Sequence, residues 1–183
     1  MSQIIAKLLE DHRRMTVLLD MLEREMDDYL AGHSLNQFLI ETIVDYLVTF
    51  PRACHHPIEN FILRRLNIRS PSLGAYGREI IIEHERLSRL LDNFMATFEL
   101  AKSGKNASRE TLATAVRRYT DFLRWHMERE ESIFLPAAER ALQQSDWDII
   151  ETRMNDKGDP VFGRETDRQY RALHKVLVEW AGK

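Results

Sequence analysis

Apolar residues recur along most of this chain at spacings of three and four, the pattern of helices that bury one face. From about Ser2 to Leu30 the apolar stripe is Ile5, Leu8, Leu9, Met15, Leu18, Leu19 and Leu22. "AGHSLN" interrupts it, with Gly32 placed to end the helix and Ser34 placed to cap the next one. A second helical stretch is expected from about Leu35 to Leu66, closed by "RSPSLG", and a third from about Leu73 to Ala101, closed by "SGKNAS". Ser108 is a suitable N-cap for a fourth, running to about Gln144 and burying Ile133, Phe134, Leu135 and Leu142. Four helices of roughly 30 residues, each about 45 Å long and joined by short loops, predict an all-α fold built as an up-down-up-down bundle. Pro51 and Pro57 fall inside the second helix, where each removes a backbone hydrogen bond and favours a kink.

The bundle is expected over residues 1–143 and a C-terminal helical extension, packing on it, over residues 144–183. In the extension, "SDWDIIETRM" reads as a short helix capped at Ser145 and "NDKGDPVFG" as a turn-rich break. "RETDRQYRALHKVLVEW" reads as a last amphipathic helix.

Composition agrees with this picture. The 183 residues are 44% hydrophobic and 30% charged, as in an ordinary globular protein, and glycine (7) and proline (5) are scarce enough to favour long helices. A net charge of −3 provides no basic surface for nucleic acid. The single cysteine, Cys54, rules out an intrachain disulfide. Neither a signal peptide nor a membrane-spanning run is evident, so a cytoplasmic location is expected.

The chain also repeats itself. "DHRRMTVLLDMLE" from Asp11 aligns with "EHERLSRLLDNFM" from Glu83, and "HHPIENFIL" from His55 aligns with "HMEREESIF" from His126. The bundle is therefore expected to be two similar helical hairpins about a pseudo-two-fold axis. The polar residues that the repeat retains on the buried face are His12, His55, Glu59, His84, His126 and Glu130. His12 and His84 lie at similar depths in the first and third helices. His55 and His126 lie at similar depths in the second and fourth, which run the other way, so all four imidazoles can meet at one level. His55 with Glu59, and His126 with Glu130, are four residues apart and project from one helix face.

Four imidazoles and two carboxylates inside a bundle are costly unless a partner neutralises them. Two cations would do so, each taking two histidines, with the two glutamates bridging and room left for an oxo or hydroxo bridge. Mixed nitrogen and oxygen ligation without thiolate suits iron, with zinc or manganese as lesser options. Three further residues are weighed as supporting positions beside the ligands. Tyr119 lies two turns before His126 on the same face. His56 lies about 100° around the helix from His55, on the surface or behind the ligands. His174, on the terminal helix, could reach the open end of the site. Glu131 reads as a solvated surface acid.

A histidine in the first helix, "HHPIE" in the second, a histidine in the third and "HMERE" in the fourth together resemble the hemerythrin-like (HHE cation-binding) proteins. The resemblance covers about residues 1–143. It implies a four-helix bundle holding two non-haem iron ions that bind O2 or nitric oxide, or an iron-handling role in oxygen or nitrosative stress. Oxygen-carrying members have a second histidine one turn along the third helix and an aspartate in the fourth. This chain has Ser88 and Glu130 there, a set more similar to the branch that repairs iron–sulfur clusters. The alternatives left open are a di-iron enzyme reducing nitric oxide or peroxide, and an iron donor for cluster repair. The expected partner is a small diatomic ligand, with a homodimer or a redox partner also open, and neither nucleic acid nor membrane.

Overall fold

The computed structural model describes residues 2–104 and 108–154. These residues are all-helical, with no strand among them. Helix α1 spans Gln3–Leu30, and the side chain of Ser2 caps it by accepting the Ile4 N–H. It ends as the sequence suggests. Gly32 adopts a φ of 105°, the Gly32 N–H donates to Tyr29 O, and the His33 N–H donates to Asp28 O. This is the Schellman pattern, which a residue without Cβ accommodates at no steric cost.

The second stretch is not one α-helix. Helix α2 spans Gln37–Phe50, a π-helical turn spans Pro51–His55, and α3 spans His56–Arg69. Its cap is Asn36, whose carboxamide accepts the Leu39 N–H, rather than Ser34. Glu25 of α1 selects Asn36 by accepting its backbone N–H at 2.6 Å. A 3-10 turn at Pro71–Leu73 then leads into α4, Gly74–Lys102. The fourth stretch is likewise divided into α5 over Arg109–Arg129, a second π turn over Glu130–Phe134 and α6 over Leu135–Ala141. Ser108 caps it, accepting the Thr111 N–H. Leu142 is extended, and α7 follows over Gln144–Met154, so Ser145 lies inside that helix and does not cap it. No described helix is long and apolar enough to cross a membrane.

Long-range contacts fix the directions in which these elements run. Arg109, at the start of α5, donates to the carbonyls of Tyr29 and His33 at the end of α1, while the Ser2 N–H reaches Glu139 in α6. Lys102, ending α4, reaches Glu41 near the start of α2. Arg129, ending α5, pairs with Glu79 and Glu83 near the start of α4. Gly77 lets α4 come close to α3, since a Cβ there would stand 3.1 Å from Leu63 Cδ2.

Two apolar clusters result. The larger gathers Met15 to Met26 of α1 with α2, the later part of α4, and α5. The smaller gathers Ile4, Ile5 and Leu8 with Ile58, Ile62, Ile80, Phe134 and Leu135, and takes in Trp147 and Ile150 of α7. Ile133, expected in the core, is 47% exposed, because the π turn gives the inward positions to Phe134 and Leu135. Helix α7 is held to α3 by Asp146, which accepts from Arg65 at 2.6 Å and Arg69 at 2.8 Å and also takes the Gln143 N–H.

Candidate metal centre

Between the two apolar clusters lies a polar layer. Each long helical stretch crosses it. His12 falls between Leu8 and Met15, and His55 and Glu59 fall between Phe50 and Ile62. His84 lies between Ile80 and Leu87, and His126 and Glu130 lie between Leu123 and Phe134. All six residues are buried. Apolar packing above and below therefore fixes the height at which the imidazoles and carboxylates meet.

The two carboxylates stand at the middle of the layer. Glu59 directs Oε1 to His55 Nε2 at 3.1 Å and Oε2 to His84 Nε2 at 3.3 Å. Glu130 directs Oε2 to His12 Nε2 at 3.3 Å and Oε1 to His126 Nε2 at 3.1 Å. Despite these approaches, all four carboxylate oxygens and Nε2 of His84 and His126 are buried without a hydrogen-bond partner. A buried carboxylate left this way costs several kcal/mol, roughly, unless a cation or a well-directed donor meets it. Donor atoms of His12, His55, Glu59 and Glu130 all lie within 4.8 Å of one another, and so do those of His56, His84 and His126. The Nε2 atoms of His12 and His55 are 3.0 Å apart. That is the separation of two adjacent ligands bound at about 2.1 Å to one ion. Orphaned oxygens and converging nitrogens thus fit metal ions in this layer.

Outside the layer, carboxylates hold three of the rings by Nδ1. Glu131 meets His12 at 2.9 Å, Asp11 meets His55 at 3.5 Å, and Glu83 meets His126 at 2.8 Å. Lys7 and Arg129 in turn bind Asp11 and Glu83. A carboxylate at Nδ1 fixes the ring and leaves Nε2 for the centre, the usual support for a metal-bound histidine. Sequence reading passed over these three acids. Two carried a signal, because Asp11 and Glu83 are repeat-matched and each precedes a histidine. Glu131 was expected to be solvated, yet it reaches His12 from a half-exposed position.

Electrostatics follows from this arrangement. Burial opposes charge on His55 and His126, but Glu59 and Glu130, with Asp11 and Glu83 behind the rings, raise both to about 10. Burial and the Glu130 charge oppose ionisation of Glu59, yet His55 and His84 draw it down to about 2. Glu130 is held well below the ordinary value by His126, His12 and His84, against its burial. The layer is therefore a set of ionised carboxylates awaiting positive charge, supplied by imidazolium protons or by metal.

The remaining expected residues are placed as follows. His56 is half-buried, behind His84. Its ring stacks on His84, with centroids 3.7 Å apart and planes 11° from parallel. Burial and His84 push its pKa well below the ordinary imidazole value. Tyr119 is buried and lines a cavity of about 280 Å³ together with His56, Leu47, Leu91 and Leu123. Burial raises its phenol, which stays protonated. His174 lies outside the described residues.

Among known proteins, the family model for the hemerythrin HHE cation-binding domain matches residues 3–138. No curated protein and no solved structure matches the chain. With a match over most of its length and a buried histidine–glutamate layer where metal ligands are needed, the chain belongs to the hemerythrin HHE cation-binding family.

Proposed function

We propose that this protein is a non-haem di-iron protein that binds O2 or nitric oxide, or handles iron, in a response to oxygen or nitrosative stress. The observation that carries this reading is the division of the two carboxylates. Each of Glu59 and Glu130 offers one oxygen to the His12–His55 side and the other to the His84–His126 side. On this reading His12 and His55 would hold one ion and His84 and His126 the other, with Glu59 and Glu130 shared between them. Cys54 belongs to the apolar cluster, so the ligand set is nitrogen and oxygen only, which favours iron over softer ions.

The antiparallel contacts of the long stretches support an up-down-up-down bundle. The matched pairs Asp11–His55 and Glu83–His126 support a pseudo-two-fold relation between its halves. We assign the bundle to residues 1–143 and the extension to residues 144–183.

Ferrous ions held here would supply a centre able to take up a diatomic ligand. The protein's own part is to set the ligands, hold the rings of His12, His55 and His126 by their Nδ1 carboxylates and keep bulk water away with the two apolar clusters. The cavity beside His56 is walled largely by Leu47, Leu87, Leu91, Met95 and Leu123, with Arg52 and Asp92 also on its lining, and has room for a small molecule.

The test is addition of O2 or nitric oxide to anaerobically iron-loaded protein. The expected result is a defined change in visible absorption that reverses when the gas is removed. Sustained gas consumption with an electron donor would favour the enzyme reading. Transfer of the iron to an acceptor would favour the donor reading. A spectrum indifferent to both gases, with iron retained, would contradict gas binding.

A further inference from the structure

We infer that the cavity between α2, α4 and α5 is a binding site for an elongated, uncharged organic molecule with an apolar body, whose inner end carries an oxygen that accepts the Tyr119 hydroxyl. The inference goes beyond the iron reading and does not depend on it, since none of the six layer residues lines the cavity.

Size and position set this site apart from the polar layer. The cavity holds about 280 Å³. An apolar cavity of about 150 Å³ already takes up benzene, so a diatomic gas would leave most of this one unfilled. The α4 residues on its wall run from Leu87 to Met95, about 12 Å along the axis and directed away from His84. Tyr119 likewise stands seven residues before His126 on α5, about 10 Å from the layer along that helix. The polar group at this end of the cavity therefore addresses a molecule in the cavity and not one held in the layer.

Burial sets the polarity of the site. Leu47, Leu91 and Leu123 are buried and give it apolar walls, and Tyr119 is only 3% exposed. The Tyr119 hydroxyl has no hydrogen-bond partner among the described residues. A buried hydroxyl left so is costly, and an oxygen acceptor brought into the cavity removes that cost. Apolar walls with one neutral donor do not offset the desolvation of a charged group, so the inner end of the ligand is uncharged. Arg52 and Asp92 are exposed and of opposite sign, and they mark the rim that faces solvent.

The internal repeat gives a cause for the opening. In the other half Asp20 and Glu23 accept from Arg124 at 2.6 and 3.0 Å, which clasps α1 to α5. The matched residues are Asp92, Met95 and Ala53, so the same clasp cannot form between α4 and the second helical stretch. Arg52, beside Ala53, reaches the rim, yet no ion pair joins it to Asp92 among the described residues. Ser88, on the α4 wall, adds little side chain to fill the space.

The test is calorimetric titration of the full-length protein, as purified, with benzylacetone, an elongated ketone, and with hydrocinnamate, a carboxylate of the same size and shape. Wild type is expected to bind the ketone one to one, with a dissociation constant at or below about 1 mM, and the carboxylate at least about tenfold more weakly. Tyr119→Phe, which removes the hydroxyl alone, should weaken ketone binding by about tenfold. Ser88→Trp, which fills the cavity, should abolish it. Absence of saturable ketone binding to wild type would overturn the inference, as would binding that Tyr119→Phe leaves unchanged, or a carboxylate bound as tightly as the ketone. Should Ser88→Trp not fold, Tyr119→Phe and the comparison of the two probes decide.

Discussion

Glu59 and Glu130 are fully enclosed, and none of their four oxygens has a hydrogen-bond partner. Without metal their charge is balanced by imidazolium, and this makes the metal-free protein's stability depend on pH in a definite way. His55 and His126 are raised from 6.5 to about 10. Their contribution is therefore complete below 6.5 and is lost as pH rises through about 10. Glu59 is lowered from 4.5 to about 2, so its contribution is complete above 4.5 and is lost as pH falls through about 2. The melting temperature of metal-free protein should peak between 4.5 and 6.5. Metal must displace the imidazole protons, so loading at about pH 7.5 should release at least two, from His55 and His126. Calorimetric titration in two buffers of different ionisation enthalpy checks this, and metal uptake without proton release would contradict it. At this scale the buried histidines and glutamates were legible because six polar side chains recur at matched positions on apolar faces. Glu131 was not, because the reach of an exposed-looking acid to His12 requires the local backbone to be known.

Both broken helices owe their interruption to the same local chemistry. Pro57 and Pro136 each stand two residues beyond a π turn, and neither can donate to the carbonyl four residues before it. The N–H groups of His56 and Leu135 instead reach five residues back, to Pro51 O and Glu130 O. The kink expected in the second helix is thus met by a widened turn. The turn in the fourth helix carried a proline signal as well, but apolar periodicity alone reads across a single extra residue. The two turns also differ in place. One ends at His55 and the other begins at Glu130, so the repeat that aligns the histidines and glutamates does not align the backbone devices around them.

Helix α7 offers a test at the same scale. Its docking depends on Asp146, buried beneath Arg65 and Arg69. Asp146→Ala should cost about 2 kcal/mol, allowing for two partly exposed partners, because it leaves hydrogen-bonded charge unmatched. Denaturant unfolding should show the loss, and hydrogen exchange should localise it to α7 with iron uptake intact. Unchanged stability would contradict the anchoring role.

At the scale of the whole molecule, the described residues form a polar layer of histidines and glutamates held between two apolar clusters, and every long stretch contributes to all three. This explains why the fold class and the site were read together. The apolar periodicity that predicts the helices also fixes which face each histidine and glutamate occupies, and matched depths in antiparallel helices bring them to one level. What periodicity does not contain is the azimuth of each residue after a π turn, or the acids that approach from a neighbouring helix. The same organisation gives the layer little structural purpose without cations, since hydrophobic side chains of similar volume would fill it at lower cost. The most direct measurement is therefore the metal content of untagged protein purified in air, by plasma mass spectrometry, with His126→Ala alongside. The account predicts about two irons per chain in wild type, a count set by the two converging donor groups, and a clear loss in the variant. Folded wild-type protein that carries no metal and takes up no iron anaerobically would contradict it.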